Sequence, residues 1–213
     1  MSEPSHATVR PDDGRPLAII DAAFESFDEL GYDASTIEDI RRRSGASVGS
    51  IYHHFGSKAA IAAAVYLEGL EEYQRGLLAR MRRSPDAPAL IRSVIYFYLE
   101  WAKGHPTWAR FLFSMRQADA VAAHDADIRA RNERFPAEVQ SYMSPFIDSG
   151  EIAPLPPQIL LALVHGPVRE FLRLWLRGQT EVPISRAREI FAQAAWQSVR
   201  AGKKATVTSA DDP

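Results

Sequence analysis

Apolar residues recur at three- and four-residue spacing along most of the chain, while sustained apolar–polar alternation and hairpin turn signals are absent. From Leu17 to Leu30 the positions Ile20, Ala23, Phe24, Phe27 and Leu30 share one helical face. Gly31 follows, a residue that accepts the left-handed cap. Ser35 or Thr36 opens the next helix. Ser35 with Glu38 fits a capping box, and Ile37 and Ile40 form the apolar side. Gly45 supplies a turn. Ser47 is a natural N-cap for a third short helix, with Val48, Ile51 and Phe55 as its packing candidates. Gly56 and Ser57 separate that helix from a long one.

Lys58 to Arg83 reads as a single helix of about 39 Å at the standard rise, with Ile61, Val65, Leu67, Leu70, Tyr73, Leu77 and Leu78 along it. Ser84-Pro85-Asp86-Ala87-Pro88 is a loop. Further helices are predicted over Ala89 to Gly104, from Pro106 to about Gln117, and over Ala120 to Ser149 with interruptions near Pro136 and Pro145. Two final helices span Gln158 to Arg177 and Ile184 to Ala201. The pattern predicts an all-α fold: an N-terminal three-helix domain containing a helix-turn-helix, then a larger helical domain. The expected boundaries are a disordered arm over 1–15, the helix-turn-helix domain over 16–62, the larger domain over 63–201 and a disordered tail over 202–213.

Charge changes this picture locally. The net charge is -2, yet between Ile40 and Leu67 the chain carries Arg41, Arg42, Arg43 and Lys58 and no acidic residue. A basic face on a mildly acidic chain suits specific DNA binding with weak non-specific adhesion. The absence of cysteine excludes a disulfide framework, a thiolate zinc site and a cysteine nucleophile. The polar N-terminus lacks the apolar run of a signal peptide, and the densest apolar run, Ile159 to Val164, is too short to cross a bilayer. A cytoplasmic protein without membrane association is expected.

Residues 36 to 58, TIEDIRRRSGASVGSIYHHFGSK, have the order of a helix-turn-helix, whose second helix enters the DNA major groove. Ser47 at an N-cap leaves backbone N–H groups pointing outward toward a phosphate. Tyr52 and His53 can each donate to phosphate oxygens. Lys58 places a cation beside a positive helix end, where it is disfavoured unless an anion is bound. Base reading falls to the exposed face of the second helix, at Val48, Gly49 and Ser50. Val48 can touch a thymine methyl, and Ser50 can bond several base edges.

The apolar first helix, Gly31-Tyr32, the Ser35-Thr36 cap, the Gly45-Ala46-Ser47 turn, Tyr52-His53-His54-Phe55 and Gly56-Ser57-Lys58 occur in order. Over residues 17 to 65 this stretch resembles the N-terminal domain of the TetR family of transcriptional repressors. The resemblance implies a double-stranded DNA operator as partner, with Thr36 and Arg42 or Arg43 on flanking phosphates. It also implies that the long helix from Lys58 couples a ligand site to DNA binding. Many members carry lysine where this chain has Val48, which removes one possible guanine or phosphate contact.

Two other chemistries are weighed against this one. Gly45-Ala46-Ser47-Val48-Gly49 spells the G-x-S-x-G nucleophile elbow, but that motif needs a preceding strand, and here a helix precedes it. His53 and His54 are adjacent and so point about a hundred degrees apart on a helix, a poor arrangement for one metal. No catalytic residues, metal or cofactor are expected, and the chain is not expected to be an enzyme.

The second half is rich in large side chains, and helical bundles form ligand cavities lined by such residues. Trp101, Trp108, Phe111, Met115, Tyr142 and His165 are the candidates for binding a small apolar or aromatic ligand. Arg116 and Arg169 are candidates to meet a carboxylate. The last two helices carry more apolar surface than one face can bury: Ile159, Leu160, Leu163, Val164, Phe171, Leu172 and Trp175, then Ile190, Phe191, Ala194, Ala195 and Val199. This predicts a homodimer through residues 158–201 with two-fold symmetry. The expected function is a transcriptional repressor released from a palindromic operator by a small molecule. The alternative is a helical ligand-binding protein that has lost DNA binding.

Overall fold

The structure is a computed structural model that describes residues 15–115 and 119–202. The described residues form helices α1 (Arg15–Leu30), α2 (Ile37–Ser44), α3 (Val48–Phe55), α4 (Lys58–Met81), α5 (Ala87–Gly104), α6 (Pro106–Met115), α7 (Asp119–Ala122), α8 (Asp125–Asn132), α9 (Arg134–Asp148), α10 (Pro157–Leu176) and α11 (Ile184–Val199). No strand occurs among them. Ile152 and Arg200 form an isolated antiparallel bridge, with Ala153 N–H donating to the Val199 carbonyl at 2.8 Å. The expected arm and tail lie almost wholly outside the described residues, as does Arg116.

The chain divides into two compact units. One comprises Met1–Gly69 with Ser114–Ile128, the other Leu70–Phe113 with Arg129–Pro213. Helix α4 supplies residues to both.

In the first unit, α1 buries Ile19, Ala22, Ala23, Ser26 and Phe27. This stripe is rotated from the expected one: Ile20 is half-buried and Leu30 is exposed. The reason is Ser26, a polar residue that the apolar count passed over. It sits in the core because its hydroxyl donates back to the Ala22 carbonyl at 2.8 Å. Ile40, Ile51, Ile61 and Val65 complete the core without residual exposure.

Ser35 also departs from expectation. It is buried, and its hydroxyl lies 2.9 Å from the Ser26 carbonyl and 2.7 Å from that of Gly31. It therefore ties off the end of α1. Thr36 is the N-cap of α2, and its capping-box partner is Asp39.

The second unit packs α5 against α10 and α11. Leu90, Ile91, Val94, Ile95 and Leu99 from α5 meet Leu160, Val164, Val168 and Leu172 from α10 and Ala187, Ala192, Ala195 and Val199 from α11. Small residues on α11 allow close approach of α5. Gly76 on α4 works similarly: a Cβ there would stand 2.4 Å from the Phe97 ring. The predicted helix over 120–149 is divided into α7, α8 and α9. The interruption expected near Pro136 falls at Glu133, between α8 and α9, and places Pro136 in the first turn of α9, where no intrahelical N–H is needed. Pro145 lies inside α9.

Candidate functional site

The first candidate site is the face of α2, the turn and α3. Thr36 has extended backbone; its hydroxyl donates to Asp39 Oδ2 at 2.6 Å, and Asp39 N–H donates back to it at 3.2 Å. Those bonds from Thr36 hold the Asp39 carboxyl below its usual range. Gly45 ends α2 at φ 69°, in the left-handed region, with its N–H bonded to the Arg41 carbonyl. A side chain there is strained, so the sharp turn depends on glycine. Ser47 then caps α3 by accepting the Ser50 N–H at 3.1 Å.

Helix α3 has one buried side chain, Ile51, which has no exposure. Its other side faces out: Ser47, Gly49 and His53 are exposed, Val48 is 41% exposed and Tyr52 is 49% exposed. Val48 was expected to pack or to read bases, and packing does not use it. Ser50 is half-buried and His54 and Phe55 lie between buried and exposed. Gly49 is the informative one. Its φ is not positive, and a Cβ added there meets nothing closer than the Ser47 hydroxyl at 4.0 Å. Glycine in a helix costs about 1 kcal/mol relative to alanine, and nothing within the unit requires it here.

The arginines are less free than their sequence window suggests. Arg41 pairs with Glu38 at 2.7 Å, and Arg42 with Asp39 at 2.7 Å. Arg43 reaches α1, where it pairs with Glu29 and with Glu25 at 3.6 Å. The acids that precede the basic window in sequence thus fold back onto it. Arg42 remains accessible, its side chain 66% exposed, whereas that of Arg43 is 28% exposed and joins two helices. Exposed pairs of this kind contribute little to stability, so Arg42 can exchange Asp39 for a phosphate at small cost.

Lys58 overturns its sequence rationale. Its ammonium donates to the carbonyls of Tyr32, Ser35 and Asp33 at 2.8, 2.8 and 3.3 Å, and lies 4.5 Å from the centre of the Tyr32 ring. A cation at the start of α4 is stabilised by carbonyls of the loop between α1 and α2, and no external phosphate is needed to explain it. The serine of the G-x-S-x-G string follows helix α2, outside any strand–turn–helix elbow.

The second candidate site is a cavity of about 470 Å³ inside the second unit. Helices α4, α5, α9 and α10 line it, with Leu77, Ile91, Val94, Val139, Leu160 and Val164 making much of its wall. Among the described residues that line it, none is Asp, Glu, Lys or Arg. Of the six residues predicted for a pocket, His165 lies on this wall. The others are elsewhere. Trp101 is buried beside Tyr73, stacks on His105 and donates to Glu72 at 3.2 Å. Trp108 meets Phe111 edge-on, Tyr142 packs on the core of the same unit, and buried Met115 belongs to the first unit. The Arg169 guanidinium stands 5.9 Å from the Phe113 ring.

Sequence reasoning missed Tyr73 and Tyr98, which do line the cavity. Both were visible as tyrosines within apolar helical stripes, where a hydroxyl needs a partner or a void. Their rings lie 6.0 Å apart, and the Tyr98 ring meets the His165 ring at 5.5 Å. Burial raises both phenol pKa values. His165 keeps some accessible surface, as a cavity wall must, yet burial lowers its pKa to about 4, leaving it neutral at ordinary pH.

Comparison with known proteins places this geometry. Residues 19–65 match the bacterial regulatory proteins of the tetR family. The transcriptional regulator RutR of Escherichia coli K12 is 27% identical over 158 residues, covering 72% of each chain. The transcriptional activator FasR of Mycolicibacterium smegmatis is 26% identical over 188 residues, covering 87% of this chain and 83% of its own. The crystal structure of FadR from Bacillus subtilis in complex with stearoyl-CoA shares the fold, with a TM-score of 0.71 at 20% identity over 84% of this chain and 96% of that one. The matched segment spans the core of the first unit and the whole outward face of α3, and the likeness in fold continues through the second unit. Residues 19–65 thus form a helix-turn-helix domain of the tetR family, and the chain as a whole is similar to transcriptional regulators of the helix-turn-helix type.

Proposed function

We propose that the protein is a repressor that binds a palindromic operator as a homodimer and leaves it when an apolar small molecule occupies the cavity of the second unit. The outward face of α3 carries this reading, above all Gly49, an unforced glycine in a helix beside exposed Val48 and Tyr52. A missing side chain lets a helix lie close against base edges. Val48, Gly49 and Ser50 read bases; Thr36, Arg42, Ser47, Tyr52 and His53 meet phosphates. Arg43 and Lys58 act from within, by holding α1 to α2 and the loop between those helices to α4.

Exposed Ile159, Leu161 and Ile190, with exposed Ala162, Gly166 and Ala194, support dimerisation through α10 and α11. Two such pairs form a four-helix interface related by a two-fold axis. Helix α4 is the proposed lever: it gives Ile61 and Val65 to the first unit and Tyr73, Leu77 and Met81 to the cavity wall. Release requires that the ligand bind the two conformers unequally.

The test is selection of bound duplexes from a randomised pool at fixed salt. A palindrome with half-sites about one helical turn apart is expected, and Arg42→Ala should lower affinity and reduce the salt slope by about 1. No enrichment by a folded dimer would favour the second reading, a ligand-binding protein without DNA function, for which Val48 and the paired arginines are the supporting observations. A reporter in cells then separates repression from the activation that the name of FasR records for that relative.

A further inference from the structure

We propose that the cavity selects an uncharged, mainly hydrocarbon molecule bearing one hydroxyl or carbonyl group, which hydrogen-bonds to the Tyr73 hydroxyl, and that it rejects anionic acyl compounds. This rests on the proposal that the cavity holds a ligand.

The apolar wall favours hydrocarbon at roughly 25 cal/mol per Å² removed from water. One hydroxyl breaks that pattern. The Tyr73 Oη is fully buried and has no hydrogen-bond partner among the described residues. A buried hydroxyl left unsatisfied costs about 1–3 kcal/mol, so this position is unfavourable in the empty protein and is relieved by a bound oxygen. Tyr73 belongs to a series of rings, Tyr73–Tyr98–His165, contributed by α4, α5 and α10 and all on the cavity wall. Gln140 and Gln158 are the other polar side chains on the wall. Phenols donate to a carbonyl or exchange hydrogen bonds with a hydroxyl.

A carboxylate or a phosphate brings a full charge, which needs a cation or several donors when taken out of water. The lining residues contain neither lysine nor arginine, and His165 is held neutral by its burial. The chemistry therefore differs from that implied by the stearoyl-CoA bound to the Bacillus subtilis FadR. An acyl-CoA of that kind carries several anionic groups, and this wall has no charge to receive them.

Titration calorimetry of the full chain with n-decanol, n-decane and decanoate tests this, with Tyr73→Phe and Tyr98→Phe as variants. Decanol should bind at least about tenfold more tightly than decanoate. Tyr73→Phe should weaken decanol about fivefold to tenfold, leave decane unchanged, and leave the melting temperature of the empty protein unchanged or raised, because no bond is lost. Decanoate binding as tightly as decanol, no binding of any probe, or decanol affinity unchanged in Tyr73→Phe would each overturn the inference. Operator affinity is measured in the same samples. Decanol that binds through Tyr73 without altering operator affinity leaves this inference standing and removes the release mechanism. Decanoate that releases DNA does the opposite.

Discussion

Helices α3 and α10 each carry residues that packing within their unit does not consume, and they are placed in opposite ways. On α3 the surplus is outward: Val48, Gly49 and Tyr52 surround a helix anchored by Ile51. On α10 it is divided. Val164 and His165 face a void inside the unit, while Ile159 is left outside. On the proposed reading, α3 meets a rigid polyanion and must be complete before binding, and its side chains do stand free on a short helix capped by Ser47. On the proposed reading, α10 also helps to hold a small apolar molecule, and its inward side chains line a cavity between helices. The two regions should therefore respond differently to the same kinds of change.

The largest effect should come from removing the anchor. Ile51→Ala should destabilise the first unit by about 2–5 kcal/mol, whereas Val48→Ala on the same helix should leave stability nearly unchanged, as denaturant titration would read. Equal losses from the two would mean that α3 has no free face.

Acid should act on the second unit through His165. Its folded pKa is about 4 against an ordinary value of 6.5. Between these values the unfolded chain takes up a proton that the folded chain refuses. Stability from this group is present above pH 6.5 and is lost as pH falls toward 4, by about 3 kcal/mol. His165→Phe should flatten that part of the stability profile. An unchanged profile would mean that the ring is solvated.

Gly49→Glu should lower operator affinity about a hundredfold, through bulk and negative charge against DNA, while thermal stability holds or rises because a helical glycine is replaced. Fluorescence anisotropy and melting of one preparation decide it. A large drop in melting temperature with intact binding would assign Gly49 to the fold. The smallest effect is expected at Lys58. Lys58→Met should cost about 1.5–3 kcal/mol of stability and, at a temperature where the variant is folded, should change operator affinity less than Tyr52→Ala. The reverse order would restore Lys58 to the phosphate contacts.

The local features of the first unit were legible because they depend on neighbours in sequence. Gly45, Ser47 and the apolar Ile40 and Ile51 carry their roles in backbone preference and three- and four-residue spacing. Thr36 against Ser35 was ambiguous for the same reason: two adjacent hydroxyls suit one cap, and the choice is made by Ser26, nine residues earlier, whose carbonyl takes the Ser35 hydroxyl. The bonds of Lys58 were not legible, because the carbonyls that hold it lie more than twenty residues before it in the chain. Arg43 likewise finds its partners on α1.

For the cavity, the aromatic content of the second half pointed to six residues, of which His165 lies on its wall. Trp101 is as large and apolar as any pocket residue, yet ring contacts with Tyr73 and His105 consume it. Whether a side chain packs or lines a void depends on what four helices far apart in sequence leave unfilled.

The sequence by itself determined the helical periods, the turn, the Ser47 cap and the family motif, since each is written within a few residues of chain. Tertiary structure alone decided which charges are spent on internal pairs, which apolar residues stay free, and which buried hydroxyl is left without a partner. Those outcomes depend on distances between segments, and spacing along a chain does not encode them.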